Sequence, residues 1–557
     1  MTESASYPPI DPTTFDLILV GTGLPESVIA AAASAAGKTV LHLDPNSFYG
    51  SHFSSLPLDE LTSFLTSHST TSTSSSHPHL PPSTAIDGED YISVDLETRP
   101  VYSDLDISSH SSEPLEHSRK FNLDPAGPRV LFCADSAIDL MLKSGTSQYI
   151  EFKGVDASLV CDSDGKLSTV PDSRAAIFKD RTLGLTEKNQ LMRFFKLVQE
   201  HLASDGDERG DNARISEEDL QSPFVEFLKK MRLPPKIKSI ILYAIAMADY
   251  DQDDVEVCKD VLKTKDGIDR LALYQSSVSR FSNAPGALIY PMYGQGELPQ
   301  GFCRRAAVKG CLYVLRMPVT ALLMEKSSGH YKGVRLASGQ DLFSRQLVLD
   351  PSFVVSLPLA SSSPDFLQEI SLDFRLKSAQ GKVARGICIA RSSLKPDVSN
   401  LLVVYPPRSL YPEQATSIRV LQIGSNLAVC PSGMFVLYLS ALCDDADQGK
   451  KLLHAAMNAL FTPDVSGNPE NSSSVQCENT EEVKSTLLWS ALYMQELNMA
   501  SFESISFTPM PDGNLNYNGV LDATMKLFKK MYPDEEYFPE TTSPENSEDD
   551  EGISLES

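Results

Sequence analysis

The chain contains no apolar run long enough to cross a bilayer. Its longest, Ile240 to Ala248 and Met434 to Leu442, span nine residues each, the second interrupted by Ser440, against the ~20 that a membrane helix needs. Basic residues are scarce: Lys and Arg number 48 against 74 Asp and Glu, a net charge of −26. That balance repels phosphate backbones and anionic lipid surfaces, so nucleic-acid binding is disfavoured. The nine cysteines are odd in number, scattered and never spaced as CxxC, which argues against a disulfide framework or a zinc site and for reduced, buried thiols. Catalytic signatures are missing too: no GxSxG, no GxxxxGK[ST], no HExxH, and no histidine in a motif with a nucleophile. Catalysis by this chain alone is not expected, no metal is implied, and a binding module is the better reading. The first residues, MTESASYPPIDPTTFD, lack a basic stretch before an apolar one, and the final SLES offers no cysteine for prenylation. A cytosolic chain without its own lipid anchor is expected.

What is present is a globular composition on a chain too long for one core. The 557 residues are 41% hydrophobic, 22% charged and 8% aromatic, whereas single cores stop growing near roughly 250 to 300 residues. Residues 1–14 read as a disordered start. Phe15 to Val20 reads as a buried strand, Gly21 to Glu26 as a glycine turn, the alanine-rich stretch to Ala36 as a helix, and Thr39 to Asp44 as a second strand. The segment of about 51–118, with TSHSTTSTSSSHPHLPPST at its centre, reads as a long low-complexity insertion within a sheet domain covering 15–170. His77 and His79 lie there without a third ligand and read as a solvated loop.

Residues 171–265 turn helical. Leu191, Phe194, Phe195, Val198 and Leu202 form one apolar stripe, and Ile237, Ile240, Ile241, Ala244, Ile245 and Ala248 another. Residues 266–530 read as the return of the sheet domain, with a surface loop at 462–482. The segment 531–557 carries ten acids with no Lys or Arg and reads as a disordered acidic tail. Within it Ser547, followed by Glu548-Asp549-Asp550-Glu551, has an acidic context that some kinases favour.

Gly21 and Gly23 would let a backbone approach a pyrophosphate at a helix N-terminus, with Asp44 spaced to hold a ribose hydroxyl. The third glycine is absent. Glu26, after Pro25, stands in its place, so the unit reads as a vestigial dinucleotide fold without cofactor. A flavin-dependent oxidoreductase remains the alternative that the glycine turn alone suggests.

FDLILVGTGLPESVIAAAASAAGKTVLHLDPNSFYG and IYPMYGQGELPQGFCRRAAVKG, with FNLDPAGPRVLFCADSAIDLMLKSGTSQYIEFK between them, resemble blocks of the Rab escort protein and Rab GDP-dissociation inhibitor superfamily. The resemblance covers residues 15 to about 320 in pieces and extends more weakly to about 530. It implies an α/β, GDI-like fold: a large sheet domain related to FAD-binding, Rossmann-like proteins with a small inserted all-helical domain. The chain's length, the insertion, Gln295 and the acidic tail resemble the escort branch, component A of Rab geranylgeranyltransferase, more than the inhibitors.

For that branch the resemblance implies a non-catalytic carrier. Its partners would be GDP-bound Rab GTPases, unprenylated and prenylated, the αβ transferase and the geranylgeranyl group carried on the Rab, with transient delivery to membranes. The inhibitor role, recycling prenylated Rabs, is the alternative. Tyr49, Glu297, Gln300 and Arg304 match the family's Rab-binding platform, while Leu312 stands where the inhibitors have threonine. Phe194, flanked by Arg193 and Lys196, matches an exposed anchor for the transferase. Asn189 replaces an arginine of the animal proteins, as in plant escort proteins. Ile240, Ile241, Ala244, Ile245 and Met247 are candidates for a lipid groove, with a closed helical core as the alternative.

Overall fold

In the computed structural model the described residues are 8–70, 90–111, 115, 117–162, 164–171, 184–204, 215–256, 258–355, 375–377, 381–462, 484–497, 499–501 and 504–539. His77, His79, Ser547 and nearly all of the 462–482 loop lie outside them.

The strand β1 (Thr14–Val20) is apolar almost throughout because it is covered on both faces. It runs parallel to β2 (Val40–Asp44) on one side and to Asp341–Leu349 on the other. Leu312–Leu315 extends this parallel edge beyond β2. From Asp341–Leu349 the sheet continues antiparallel through Tyr331–Leu336, Val319–Glu325, Tyr91–Thr98 and Phe353–Val355. A second, eight-stranded sheet runs from Tyr102–Ser109 at one edge to Leu167–Thr169 at the other, its centre formed by Phe435–Cys443 and Ile418–Gly424. Tyr91–Thr98 and Tyr102–Ser109 are consecutive strands placed in different sheets, so the short link between them stitches the two layers together.

The helices are α1 (Leu24–Ala35), α2 (Leu58–Ser67), α3 (Ser136–Ser144), α4 (Leu185–Ser204), α5 (Glu217–Gln221), α6 (Phe224–Lys230), α7 (Pro235–Ser239), α8 (Thr264–Ser277), α9 (Glu297–Val308), α10 (Ala446–Leu460) and α11 (Asn518–Met531). Helix α1 starts directly after Gly23 with Pro25 in its first turn, where a missing N–H costs nothing. Its run of four alanines, Ala30 to Ala33, is wholly buried, and such small side chains let it pack closely against α9 and α11. Helix α7 continues into a six-residue π-helical stretch, Ile240–Ile245.

Several sequence expectations are corrected. The flanks of the 51–118 segment are ordered: α2 buries Leu58, Leu61, Phe64 and Leu65, and Val94 and Leu96 alternate inward from their strand. The helical region runs to Ser277 rather than 265, because Ile268 and Leu271 of α8 continue its apolar face. At the start, Ile10 exchanges backbone bonds with the Gln340 side amide, at 2.9 and 2.7 Å, so residues 8–13 belong to the fold. Residues 532–539 belong to it as well: Phe538 is only 2% exposed and sits 6.3 Å from Phe302, ring centre to ring centre.

Phe194 is not an exposed anchor. It is fully buried in one apolar cluster with Phe224 and Phe227, while Asn189, Arg193, Lys196 and Glu200 occupy the outer face of α4. The Leu191-Phe194-Val198 stripe is the helix's packing face, and Arg193 and Lys196 lie about 100° and about 160° from Phe194 around the helix. Ile240, Ile241, Ala244 and Ile245 belong to the same cluster, with partly buried Met247 packed against it. The neighbouring groove of about 550 Å³ is lined by Leu242, Tyr243, Lys236, Lys238 and Pro406 to Ser409, and by none of those five. The closed-core alternative therefore describes this conformation. Phe194→Ala is expected to lower unfolding free energy by about 3–5 kcal/mol, the cost of truncating a core phenylalanine. Denaturant unfolding measures it, and an unchanged midpoint would contradict the core placement.

Candidate functional site

Val20 pairs with Leu43 and with Leu349, so the three parallel strands end level. Gly21, Asp44 and Asp350 thus come together beyond the carboxyl ends of adjacent strands, where open α/β sheets place their ligands. Here side chains of the chain itself occupy the space. A Cβ at Gly21 (φ 100°) would lie 2.5 Å from the Asp350 Cβ, and one at Gly23 would collide with the Glu26 carboxyl. Glu26 is fully buried and accepts a hydrogen bond from the Thr508 hydroxyl. Burial, with Asp350 beside it, pushes its pKa well above the usual carboxylate range and favours the neutral acid.

Asp44 is equally committed. Its Oδ2 accepts from the Thr22 amide at 2.8 Å and hydroxyl at 2.7 Å, and its Oδ1 from the Asn46 amide at 2.7 Å. Burial pushes its pKa up to about 6. Asp350 accepts from Ser51 Oγ at 2.8 Å and from the Ser352 amide and hydroxyl at 2.9 and 2.6 Å. His42, held near pKa 4 by burial, is neutral, and its Nε2 lies 2.6 Å from the Gly21 carbonyl. A pyrophosphate would meet three carboxyl groups in a desolvated space already filled. Residues Gly21, Gly23, Glu26 and Asp44 therefore do not fit a dinucleotide such as FAD, and nothing in their geometry supports the flavin reading.

The same network shapes the outer surface. Ser51 on Asp350, and the Gly50 amide on Thr22 Oγ1 at 3.0 Å, hold the turn that presents Tyr49. Half-buried, Tyr49 meets Tyr313 edge-on at 5.8 Å. Beside it, α9 carries Glu297, Gln300 and Arg304 at i, i+3 and i+7, so all three share one face. Gln300 Nε2 donates to Glu297 Oε1 at 3.4 Å. Partial burial raises the Glu297 carboxyl, and the Arg304 charge opposes that shift. Arg304 itself is exposed, as are Leu312, Tyr293 and Val308, the last three at 40%, 53% and 61%.

One organising residue escaped the sequence reading. Asp124, fully buried, accepts from Ser55 Oγ at 2.5 Å, from the Gln295 amide at 3.2 Å and from the Tyr290 hydroxyl. Ser55 Oγ accepts in turn from the Gly296 amide at 2.8 Å. Gly294, at φ 106°, brings the backbone so close to Ser55 that a Cβ would clash. Asp124 thereby ties the segment that follows the Tyr49 turn to the start of α9. Its only sequence cue was an Asp-Pro pair in FNLDPAG. The structure thus brings together Tyr49, Glu297, Gln300 and Arg304 on neighbouring elements, while Asn189 lies apart on the exposed face of α4.

Fold and site define a class: a dinucleotide-type α/β sheet whose own carboxyls fill the pocket and whose displayed feature is a charged, tyrosine-flanked helix face, suited to binding a protein. The chain belongs to the GDP dissociation inhibitor family, whose model matches residues 11–77 and 84–466. It is 60% identical to Rab escort protein 1 of Arabidopsis thaliana across 100% of both chains. Against the Rab proteins geranylgeranyltransferase component A of Drosophila melanogaster it is 28% identical, over 96% of this chain and 91% of that one. Among solved structures, Rab GDI from Plasmodium falciparum shares the fold at a TM-score of 0.64 and 18% identity, covering 94% of this chain and 99% of that one.

Asp44 titrates near 6 in the fold and at the usual 3.8 when unfolded, so the native state binds the extra proton between those values. Its contribution is fully present below about 3.8 and is lost as pH rises through about 6, by up to ~3 kcal/mol. Asp44→Asn should flatten the fall in stability between these pH values relative to the wild type. Parallel unfolding curves across that range would contradict the assignment.

Proposed function

We propose that this protein is the non-catalytic escort subunit of a Rab geranylgeranyltransferase. It binds newly made, GDP-bound Rab GTPases, presents their C-terminal cysteines to the catalytic αβ heterodimer, and carries the prenylated product through the cytosol to membranes. The observation that carries the reading is the full-length identity with an escort protein. The α9 face, which places Glu297, Gln300 and Arg304 beside Tyr49, supplies the chemistry. A rigid tyrosine gives contact area at low entropic cost, and an exposed arginine offers bidentate pairing to an acidic group on the GTPase. No helix among the described residues is long and apolar enough to cross a membrane, as suits a carrier that meets membranes only in passing.

The outer face of α4, with Asn189 at its N-terminal half, is the proposed transferase contact. Phe194 supports that face from inside the core. Lipid accommodation would need the packed Ile240–Ile245 segment to open, because its side chains are closed over one another here.

Arg304→Ala should weaken binding of unprenylated GDP-bound Rab by roughly tenfold, about 1–2 kcal/mol for a central interface arginine, with the unfolding midpoint unchanged. Titration calorimetry measures this, and normal binding would refute the platform assignment. Asn189→Arg is expected to tighten the complex with the transferase. An affinity identical to wild type would show that α4 is not the contact there. Binding confined to prenylated Rabs would instead indicate a dissociation inhibitor.

A further inference from the structure

Beyond α11 the chain turns back beneath α9. Glu535 pairs with Lys38 at 2.5 Å, Glu536 with Lys143 at 3.0 Å, and Lys143 also donates to the Tyr537 carbonyl at 3.2 Å. Phe538 is buried against Phe302, on the inner side of the helix whose outer side carries Arg304. The chain is thus fastened to the back of α9 at Phe538, two residues before 540–557 begins. Those 18 residues contain seven acids and no Lys or Arg.

Helix α9 and the strand after it carry the opposite charge. Between residues 297 and 316 stand Arg304, Arg305, Lys309 and Arg316 against Glu297 alone, a local balance of +3 (four minus one) in a chain of net charge −26. Arg305 lies against the end of α3: its guanidinium carbon would be 3.3 Å from a Cβ at Gly145, two residues from the Lys143 that grips Glu536. Cations therefore run from the fastening point towards the exposed face. Among the described residues, none of these four cations forms a salt bridge.

We propose that the acidic segment 540–557 docks back on the basic side of α9, over Arg304, Arg305 and Lys309, and competes with the GTPase for that face. Reach is no obstacle. Eighteen residues extend to at most ~60 Å and average ~21–25 Å as a coil, against ~18 Å for the length of α9. Tethering by the Phe538 anchor holds the acids near the helix at an effective concentration of order millimolar, so individually weak ion pairs suffice. A segment in another molecule lacks that advantage. Being a contact of solvated charges, it fades with salt as the screening length falls from ~10 Å at 0.1 M to ~3 Å at 1 M. The segment would act as a charge filter, yielding only to a partner with a better acidic surface. The competition rests on the reading that this face receives the GTPase, whereas the contact itself does not.

The test uses the full chain with five of the segment's seven acids neutralised (E545Q/E548Q/D549N/D550N/E551Q) and a fluorescent peptide of residues 540–557. In low salt the peptide should bind the neutralised chain at least about threefold more tightly than wild type, whose own segment competes, and the difference should vanish near 0.5 M. Adding Arg305→Ala and Lys309→Ala should abolish binding. No peptide binding in low salt, or binding indifferent to those two substitutions, overturns the contact. Unprenylated GDP-bound Rab should also bind the neutralised chain about threefold more tightly than wild type in low salt. Equal Rab affinities overturn the competition. Should neither protein bind Rab, the proposed function fails, and the peptide titration still decides the contact.

Discussion

Three carboxyl groups, on Glu26, Asp44 and Asp350, meet at the ends of parallel strands, and the way each is satisfied determines what the surface can present. Leaving such groups buried and unpaired would be costly. Each has a partner: Thr508 for Glu26, Thr22 and Asn46 for Asp44, Ser51 and Ser352 for Asp350. Those partners lie on the turns leading outward. A pocket that would otherwise hold a dinucleotide has become a set of internal bonds holding the Tyr49 turn.

Asp124, also buried and bonded to its neighbours, repeats the arrangement at a second point. Its hydrogen bonds to Ser55, Tyr290 and the Gln295 amide fasten the start of α9 to the turn that follows Tyr49. The proposed binding face on α9 is therefore built on rigid supports, which would lower the ordering cost of association. Its residual positive balance, set in a strongly acidic chain, suits an acidic partner surface and disfavours the rest of the molecule as a competing site.

Much of this was legible beforehand, for physical reasons. The β1–α1–β2 unit announces itself because a buried parallel strand must be continuously apolar and a tight turn needs glycine. Glu26 in place of a third glycine pointed to a vestigial dinucleotide fold without cofactor, and the family resemblance named Tyr49, Glu297, Gln300 and Arg304, which stand on the turn after β2 and on α9. Other features could not be read. Phe194 sits in a stripe at helical spacing, and spacing alone does not say whether the facing partner is the protein's own core or another molecule. Asp124 acts through bonds to residues far along the chain, which no local pattern reveals. Phe538 was hidden because its neighbours are acidic, and composition averaged over the segment masked one aromatic anchor. The same averaging concealed α2 beside a low-complexity stretch.

The most direct test of the central claim is incorporation of labelled geranylgeranyl into an unprenylated Rab by the αβ transferase, with and without this protein. The account predicts that incorporation depends on the protein and that the protein remains unmodified. Equal incorporation in its absence, while it binds the same Rab, would contradict an escort role.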